Sequence, residues 1–217
     1  VPPDMKEMLA ALLKARSLRA RPKTARKIIT AWNGLAIEAL AETGRVLGRD
    51  DFIGAAKECA SFVLSSVRGP GGRLMRYYLG GVSSVKAHLE DYAILALSLL
   101  SLNEATGEEG WLTEARLLTE DMIRLFYDAE EKAFYDTGAD DERLFARARD
   151  LIDNDLPSGN SAAAALLLRA SSLFGRPEYR ALAVGIVAGA GGAGGAMREP
   201  LSHGNLLCVH ESVLGAG

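Results

Sequence analysis

The feature that most constrains the fold is a repeat in which a long apolar segment ends at a glycine. Gly48, Gly107 and Gly175 occupy this position, and a second helical segment follows each of them. An aromatic residue lies four positions after each glycine and an alanine eight positions after it: Phe52, Trp111 and Tyr179, then Ala56, Ala115 and Ala183. Fifteen positions before the glycines, just inside polar loops, lie Asn33, Tyr92 and Asn160. The repeat predicts a helical hairpin of about 60–70 residues as the unit.

The two helices of each predicted hairpin differ in polarity. The first helices, over about 32–47, 89–106 and 160–174, are apolar on nearly every side, whereas their partners, over about 51–67, 110–126 and 178–188, each have one polar face. A helix that is apolar all round is buried, and a helix with a polar face lies at the surface. The pattern predicts an all-α (α/α) toroid, with an open helical solenoid as the alternative.

The length predicts how much of such a ring is present. A closed ring of six hairpins needs roughly 350 residues at this repeat length, and the chain has 217. We therefore expect one domain over residues 1–217 that forms about half of an (α/α)6 toroid, with the beginning of a fourth hairpin at 205–209.

A few segments do not follow the helical repeat. Residues 4–18 predict a leading helix, and 73–78 predict an extended segment. Residues 133–136 and 144–147 predict a small β-hairpin closed across 137–142. The glycine-rich run 189–195 lacks the Lys-Ser/Thr of a phosphate loop and predicts a flexible connection.

Composition and charge exclude several classes of function. The net charge of −3, with 24% charged and 48% hydrophobic residues, is typical of a soluble globular protein and argues against nucleic-acid or membrane partners. The basic residues between Lys14 and Lys27 predict a solvated lead-in segment rather than a binding patch. Cys59 and Cys208 stand alone, so we expect no metal site, no redox pair and no cofactor, and their free thiols favour a cytoplasmic location.

Three polar loops precede the predicted inner helices at equivalent places: residues 30–34, 88–92 and 155–161. Equivalent loops of a helical ring lie on one rim, so we expect the three to surround one crater. The exposed N–H groups of helix starts favour anionic or hydroxyl-bearing ligands. Any chemistry is expected at this rim.

The side chains of these loops suggest carbohydrate chemistry. Carboxylates from two loops can flank one bond of a sugar, which predicts acid–base roles for Glu90, Asp91 and Asp155. An aromatic face and hydrogen-bonding groups suited to hydroxyls predict a set of sugar-holding residues: Trp32, Asn33, Tyr92, Ser158, Asn160, His88 and His203.

Each candidate also has a structural interpretation. Acidic and small polar residues at helix starts commonly cap the helix, which applies to Glu90, Asp91, Ser158 and Asn160. Asp155 has the alternative role of a turn residue before Pro157. A tryptophan is more often a core or lid residue, and a lone histidine is usually structural. The functional hypothesis depends on several polar loops meeting at one rim.

The loops resemble those of a known family. Thr-Ala-Trp-Asn-Gly-Leu, Leu-Glu-Asp-Tyr-Ala and Pro-Ser-Gly-Asn-Ser, in this order, are similar to the carboxy-terminal part of the spermatogenesis-associated protein 20 (YyaL-like) family; they occupy residues 30–35, 89–93 and 157–161. The resemblance implies a six-hairpin, glycosidase-like toroid similar to those of N-acylglucosamine 2-epimerases and cellobiose epimerases. It also implies that this chain is the carboxy-terminal half of that toroid, so we expect the preceding thioredoxin-like domain and the first hairpins of the ring to be absent here. Where His88 stands, the family more often has an apolar or aromatic residue, which weakens His88 as a catalytic candidate.

Two functions from different classes are consistent with the sequence. The first is a carbohydrate-active domain, either an epimerase or a glycoside hydrolase, with a small sugar as its partner. The second is a non-catalytic helical scaffold whose crater binds a protein or peptide. In both cases we expect the missing half of the ring or a self-association partner to cover the exposed edge.

Overall fold

The computed structural model describes residues 3–142, 145–191 and 198–215. The helices are α1 (Pro3–Ser17), α2 (Thr30–Leu47), α3 (Asp50–Ser66), α4 (Leu89–Thr106), α5 (Glu109–Phe126), α6 (Gly159–Phe174), α7 (Pro177–Gly191) and α8 (Gly204–Gly215). The strands are β1 (Ile28–Ile29), β2 (Met75–Leu79), β3 (Val82–Lys86), β4 (Tyr127–Asp128) and β5 (Ala133–Phe134). Two short 3₁₀ turns cover Pro70–Gly72 and Pro200–Ser202.

The glycine repeat is confirmed. Gly48, Gly107 and Gly175 end α2, α4 and α6 in the left-handed region, with φ of 63°, 70° and 63°. Each glycine donates its backbone N–H to the carbonyl four residues earlier. Glycine adopts this conformation without steric cost, so the chain can turn at once into the next helix.

The hairpins pack in two layers. Helices α2, α4, α6 and α8 lie side by side in this order, and α3, α5 and α7 pack outside α2, α4 and α6. In α4, which lies between α2 and α6, every residue from 91 to 102 is buried. The alanines of the repeat are fully buried where the outer helices pack inward: Ala56, Ala115 and Ala183.

Helix α2 differs from the prediction that every inner helix is buried on all sides. Its buried residues form one stripe, whereas Val46 and Leu47 are more than half exposed. The reason is its place at the end of the arc, where only α4 lies beside it as an inner neighbour. Helix α2 thus forms an open edge of the inner layer in the described part of the chain.

Gly34 and Gly159, near the starts of α2 and α6, allow the inner helices to approach closely. A Cβ atom on Gly34 would lie 3.2 Å from the backbone nitrogen of Leu95, and a Cβ on Gly159 would lie 3.1 Å from the Leu89 side chain. Real Cβ contacts are rarely this short, and the Leu95 backbone of α4 has little freedom to move. These glycines therefore set the spacing from α2 to α4 and from α4 to α6.

The strands confirm one prediction and correct another. The extended segment predicted at 73–78 is β2, which pairs with β1 and β3 in a three-stranded antiparallel sheet. The predicted pairing of 133–136 with 144–147 is wrong for the described residues: β5 pairs with β4, 145–147 form no strand, and 144 lies outside the description. The observed hairpin is closed by the four-residue turn 129–132, which is shorter than the predicted connection across 137–142 and therefore costs less conformational entropy to close. Within this turn, Asp128 Oδ1 accepts the N–H groups of Glu130 and Glu131.

The remaining segments lie outside the two layers. Residues 4–27, including the apolar face of α1 and the basic segment, are exposed. Helix α7 continues to Gly191, so the predicted connection begins later than Gly189, and its residues 192–195 lie outside the description.

None of the described helices has the length and hydropathy of a membrane span.

Candidate functional site

A cleft of about 360 Å³ opens at the amino-terminal ends of α4 and α6, and we call it the rim cleft. Its lining includes seven polar side chains: His88, Glu90, Asp136, Asp150, Asn154, Asp155 and Ser158. Glu90 and Asp155 belong to two different polar loops, so the structure brings together two of the three predicted acid–base residues. His88 and Ser158 from the predicted sugar-holding set lie in the same cleft.

Glu90 is held in the cleft by a strand of the small sheet. Arg76 of β2 donates from Nη2 to Glu90 Oε1 at 2.7 Å, and from Nη1 to Asp91 Oδ2 at 3.2 Å. Both Arg76 and Glu90 keep about 30% of their side-chain surface exposed. One guanidinium thus orients two adjacent carboxylates, one facing the cleft and one beneath it.

Asp136 and His88, which both line the cleft, have shifted pKa values. Burial raises the pKa of Asp136, and the nearby Asp150 and Glu90 charges add to this effect, against a hydrogen bond from the Asp150 N–H at 3.1 Å. Burial, together with the charge of Arg76, lowers the pKa of His88. A carboxyl that keeps its proton to higher pH beside an imidazole that stays neutral to lower pH is suited to proton transfer.

Asp155 and Ser158 differ in how much of their hydrogen-bonding capacity is available to a ligand. Asp155 is exposed and makes no hydrogen bond or ion pair with another described side chain. Ser158 is 5% exposed, and its Oγ accepts the Ser161 N–H at 3.1 Å as the N-cap of α6. Asp155 can therefore contact a ligand directly, whereas Ser158 also serves as a helix cap.

Asp91 lies beneath the rim and has no surface in the cleft. It is fully buried, and it accepts the N–H groups of Ala31 at 3.1 Å and His88 at 2.9 Å in addition to the Arg76 bond. Burial raises the pKa of Asp91 to about 6. The geometry matches the capping interpretation: Asp91 closes the start of α4 and joins it to the start of α2.

Asp153 plays the same part at the other end of the arc. Its Oδ1 accepts from the Ser158 N–H at 2.8 Å and from Ser161 Oγ at 2.5 Å. Its Oδ2 accepts the N–H groups of Asn205 at 2.9 Å and Leu206 at 3.2 Å. Asp153 thus joins the starts of α6 and α8, so the inner helices begin at a common rim as predicted.

Tyr92 and Asn160 are buried in the supporting structure. The Tyr92 hydroxyl accepts from Arg73 Nη1 at 2.9 Å and from the Leu74 N–H at 3.3 Å. Asn160 bonds both backbone groups of Phe134, and its Nδ2 also donates to the carbonyl of Asp150 at 2.9 Å. Neither side chain lines the rim cleft, and Asn160 instead fixes the segment that carries Asp150.

Three further predicted residues lie away from the cleft. Trp32 is 60% exposed on α2, and Asn33 donates to the Ile29 carbonyl at 2.8 Å and accepts from the Cys59 thiol at 3.4 Å. His203 is 8% exposed, with its Nδ1 3.0 Å from the carbonyl oxygen of Glu199. The first polar loop and the lead-in to α8 therefore do not line this cleft.

Sequence reasoning missed Asp136, Asp150 and Arg76. Asp150 is the first of three closely spaced aspartates before Pro157, with Asp153 and Asp155, and could have been recognised as part of the same loop. Asp136 and Arg76 had no such signal, because their positions follow from the pairing of short strands. Among the described residues, no group of three or more His, Cys, Asp and Glu side chains is arranged to hold a metal ion.

Sequence comparison identifies the relatives of the chain. It is 34% identical over 181 residues to human spermatogenesis-associated protein 20, and 33% identical over 184 residues to the mouse protein. The chain is homologous to spermatogenesis-associated protein 20. This confirms the family resemblance seen in the loops. Each alignment covers 79% of this chain and 23% of the relative, so the chain spans about a quarter of those proteins. No family model matches the chain.

Solved structures confirm the predicted toroid fold. A family 76 glycoside hydrolase, an α-mannanase of Bacteroides thetaiotaomicron, superposes with a TM-score of 0.62 at 16% identity over 81% of this chain and 47% of that chain. A sugar epimerase from a ruminal bacterium gives 0.61 at 14% identity, over 76% and 45%. A family 105 glycoside hydrolase of C. acetobutylicum gives 0.61 at 14% identity, over 86% and 57%. The described helices thus match about half of an (α/α)6 toroid.

Proposed function

We propose that the rim cleft binds a sugar and that its carboxyl groups act as general acid and base, in an epimerase-like or glycosidase-like reaction. The observation that carries the proposal is that Asp136, after β5, and Asp155, in the loop before α6, line one cleft together with Glu90 of α4. Acid–base chemistry on a sugar needs two such groups on either side of the reacting bond. The proposal is consistent with the names of the structural neighbours, which include a sugar epimerase and glycoside hydrolases.

Asp136 is the proposed proton donor. Its raised pKa keeps it protonated to higher pH than an exposed aspartate. Asp155 is the proposed base or nucleophile, because it lines the cleft and is not engaged by another described side chain. Glu90, fixed by Arg76, and His88 are proposed to hold sugar hydroxyls.

The cleft fits a small polar ligand. Its volume of about 360 Å³ lies at the lower end of the roughly 300–1,000 Å³ of small-molecule sites. Four carboxyl groups in its wall oppose a phosphate-rich ligand and favour hydroxyl groups, which can donate to each of them.

An activity screen tests this proposal. The full chain is incubated with a panel of sugars, and hydrolysis and epimerisation are followed by reducing-end assay and NMR. Asp136→Asn and Asp155→Asn are each expected to lower kcat by about 100-fold or more, as loss of a general acid or base does. Glu130→Gln, on the exposed β4–β5 turn, is the matched control and should retain activity. The high-pH limb of the wild-type profile, set by the raised pKa of Asp136, should disappear in Asp136→Asn.

A non-catalytic scaffold is the second candidate. The observation that favours it is that Asp91, Tyr92 and Asn160 are buried and engaged in hydrogen bonds within the protein. Under this alternative, Asp136→Asn and Asp155→Asn leave every sugar assay unchanged, because wild type shows neither turnover nor sugar binding.

Two further proposals concern the cellular location of the chain and its partner. We propose a cytoplasmic location on the basis of the two free thiols, Cys59 and Cys208. We also propose that a further polypeptide covers the open edge of α2 and completes the ring. Light scattering tests whether a second copy is that polypeptide, since the measured mass would then be twice that of one chain.

A further inference from the structure

A second cavity lies between the inner helices α2, α4 and α6, and we call it the inner cavity. Its volume is about 240 Å³. Aliphatic side chains from all three helices form its apolar wall: Leu35, Ile94, Leu97, Ala162 and Ala165. A wall of this kind excludes water and packs against an apolar surface of a ligand.

Two charged side chains lie next to this apolar wall. Arg169 and Glu38 line the cavity, 3.7 Å apart, and Arg169 also donates to Glu104 at 2.8 Å and Ser101 at 3.1 Å. Because its guanidinium is shared among these groups, Arg169 is fixed in position, and the Glu38 carboxyl keeps 28% of its surface exposed. Hydrogen-bonding groups are therefore held next to the aliphatic wall.

The lead-in to α8 adds a polar group to the same cavity. Asn205 lines it and donates from Nδ2 to Ser161 Oγ at 3.0 Å. The Asn205 side-chain oxygen accepts no hydrogen bond from the described residues, so it can accept one from a ligand. An aliphatic wall bordered by an amide, a carboxyl and a guanidinium matches a sugar ring, which has a C–H face and hydroxyl groups at its edge.

The inner cavity and the rim cleft adjoin each other. Pro157, in the loop before α6, lines both. Alone, the inner cavity is smaller than the roughly 300 Å³ at which sites for whole small molecules begin. It is therefore suited to one part of a ligand whose other part occupies the rim cleft.

We propose that the rim cleft and the inner cavity hold successive units of one oligosaccharide, which makes an oligosaccharide, and not a free monosaccharide, the substrate of this site. The inference rests on the proposed sugar chemistry of the rim cleft. One unit lies against the carboxyl groups of the rim cleft, and the next passes Pro157 and packs on the aliphatic wall of the inner cavity.

A chain-length comparison tests this inference. Binding of a monosaccharide and of its matched di- and trisaccharides to the full chain is measured by calorimetry. Ala165→Phe fills the inner cavity from α6, and Ala181→Phe, at an exposed position of the outer helix α7, is the matched control. Ala165→Met adds less volume and serves if the phenylalanine variant does not fold, as judged by circular dichroism.

The expected result is that wild type binds the oligosaccharides at least 10-fold more tightly than the monosaccharide. Ala165→Phe should remove this difference and leave monosaccharide affinity within twofold, whereas Ala181→Phe should change neither. Equal affinity of wild type for all chain lengths would overturn the inference and leave the proposed function standing. An unaltered oligosaccharide preference in a folded Ala165 variant would overturn it as well. Absence of binding by any sugar would remove the proposed function itself.

Discussion

Asp91 and Asp153 lie beneath the rim, whereas half-buried Glu90 and exposed Asp155 lie on it, although each buried carboxylate is within two residues of one that faces the cleft. The buried pair accepts backbone N–H groups from the starts of neighbouring inner helices. Glu90 and Asp155 face the rim cleft. The comparison teaches that each of these two loops provides one carboxylate that holds the rim together and one that can contact a ligand.

Removal of a carboxylate should affect stability differently in the two pairs, because one pair is buried and hydrogen-bonded and the other is in contact with solvent. A buried carboxylate is tolerated only when donors surround it, and its removal leaves those donors unsatisfied. An exposed carboxylate is solvated, so its removal costs little stability. Variants in the two sets should therefore separate stability from ligand binding.

The largest effect on the free energy of unfolding is expected from a substitution of Asp153. Asp153→Ala leaves the N–H groups of Ser158, Asn205 and Leu206 without their acceptor, and it should lower the free energy of unfolding by about 3–5 kcal/mol. Urea denaturation followed by circular dichroism measures this change. Asp155→Ala in the same loop is the control, and a similar loss in both variants would contradict the comparison.

The second effect is a pH dependence of the free energy of unfolding, which comes from Asp91. Its pKa is about 6 in the folded protein against a usual 3.8, so the folded state binds the proton more tightly than the unfolded state. The stability contributed by this group is present below about pH 4 and is lost as the pH rises through about 6, which amounts to about 3 kcal/mol.

Denaturation of wild type and Asp91→Asn across this range measures that contribution as the difference between their two pH profiles. The wild-type free energy of unfolding should fall relative to that of Asp91→Asn as the pH rises from 4 to 7. A constant difference between the two proteins would show that Asp91 has the same pKa in both states.

A smaller effect is expected at the close contact between α2 and α4. Gly34→Ala places a methyl group 3.2 Å from the Leu95 nitrogen, so the helices must move apart, at a cost of about 1–3 kcal/mol. Gly54→Ala is the control, since a Cβ at Gly54 meets nothing within 4 Å and α3 should gain helix propensity. A thermal melt that shows the same change in both variants would refute the close-contact explanation.

The smallest effect on stability is expected at Asp155. Asp155→Asn should change the free energy of unfolding by less than about 0.5 kcal/mol, because the side chain is solvated and engages no described partner. Its effect should instead be seen in ligand titrations. A large loss of stability would place Asp155 among the residues that hold the rim together.

The sequence predicted the elements whose signals are local. Helix α4 has the predicted bounds of 89–106, because its cap and its terminal glycine are adjacent to an uninterrupted apolar run. Strands β1 and β3 and the β4–β5 pairing were not predicted, since strands of two to five residues carry almost no periodicity.

The roles of the rim carboxylates could be predicted only in part. The sequence placed Glu90 and Asp91 together at a helix start but could not assign one to the cleft and one to the interior. That division depends on Arg76, 15 residues before Asp91, and on the N–H of Ala31, 60 residues before it. Such partners come together only when the hairpins pack.

The most direct test of the account is a comparison of the adjacent variants Glu90→Gln and Asp91→Asn. Each is measured for the free energy of unfolding at pH 7 and for binding of the sugar panel. We predict that Asp91→Asn loses about 2–3 kcal/mol, because its amide nitrogen replaces one of the two oxygens that accept the N–H groups of Ala31 and His88, which leaves one of these buried donors without an acceptor. Glu90→Gln should lose less than about 1 kcal/mol and weaken sugar binding. Equal losses of stability in the two variants, with sugar binding unchanged in Glu90→Gln, would contradict the division between the buried and the cleft-facing carboxylates.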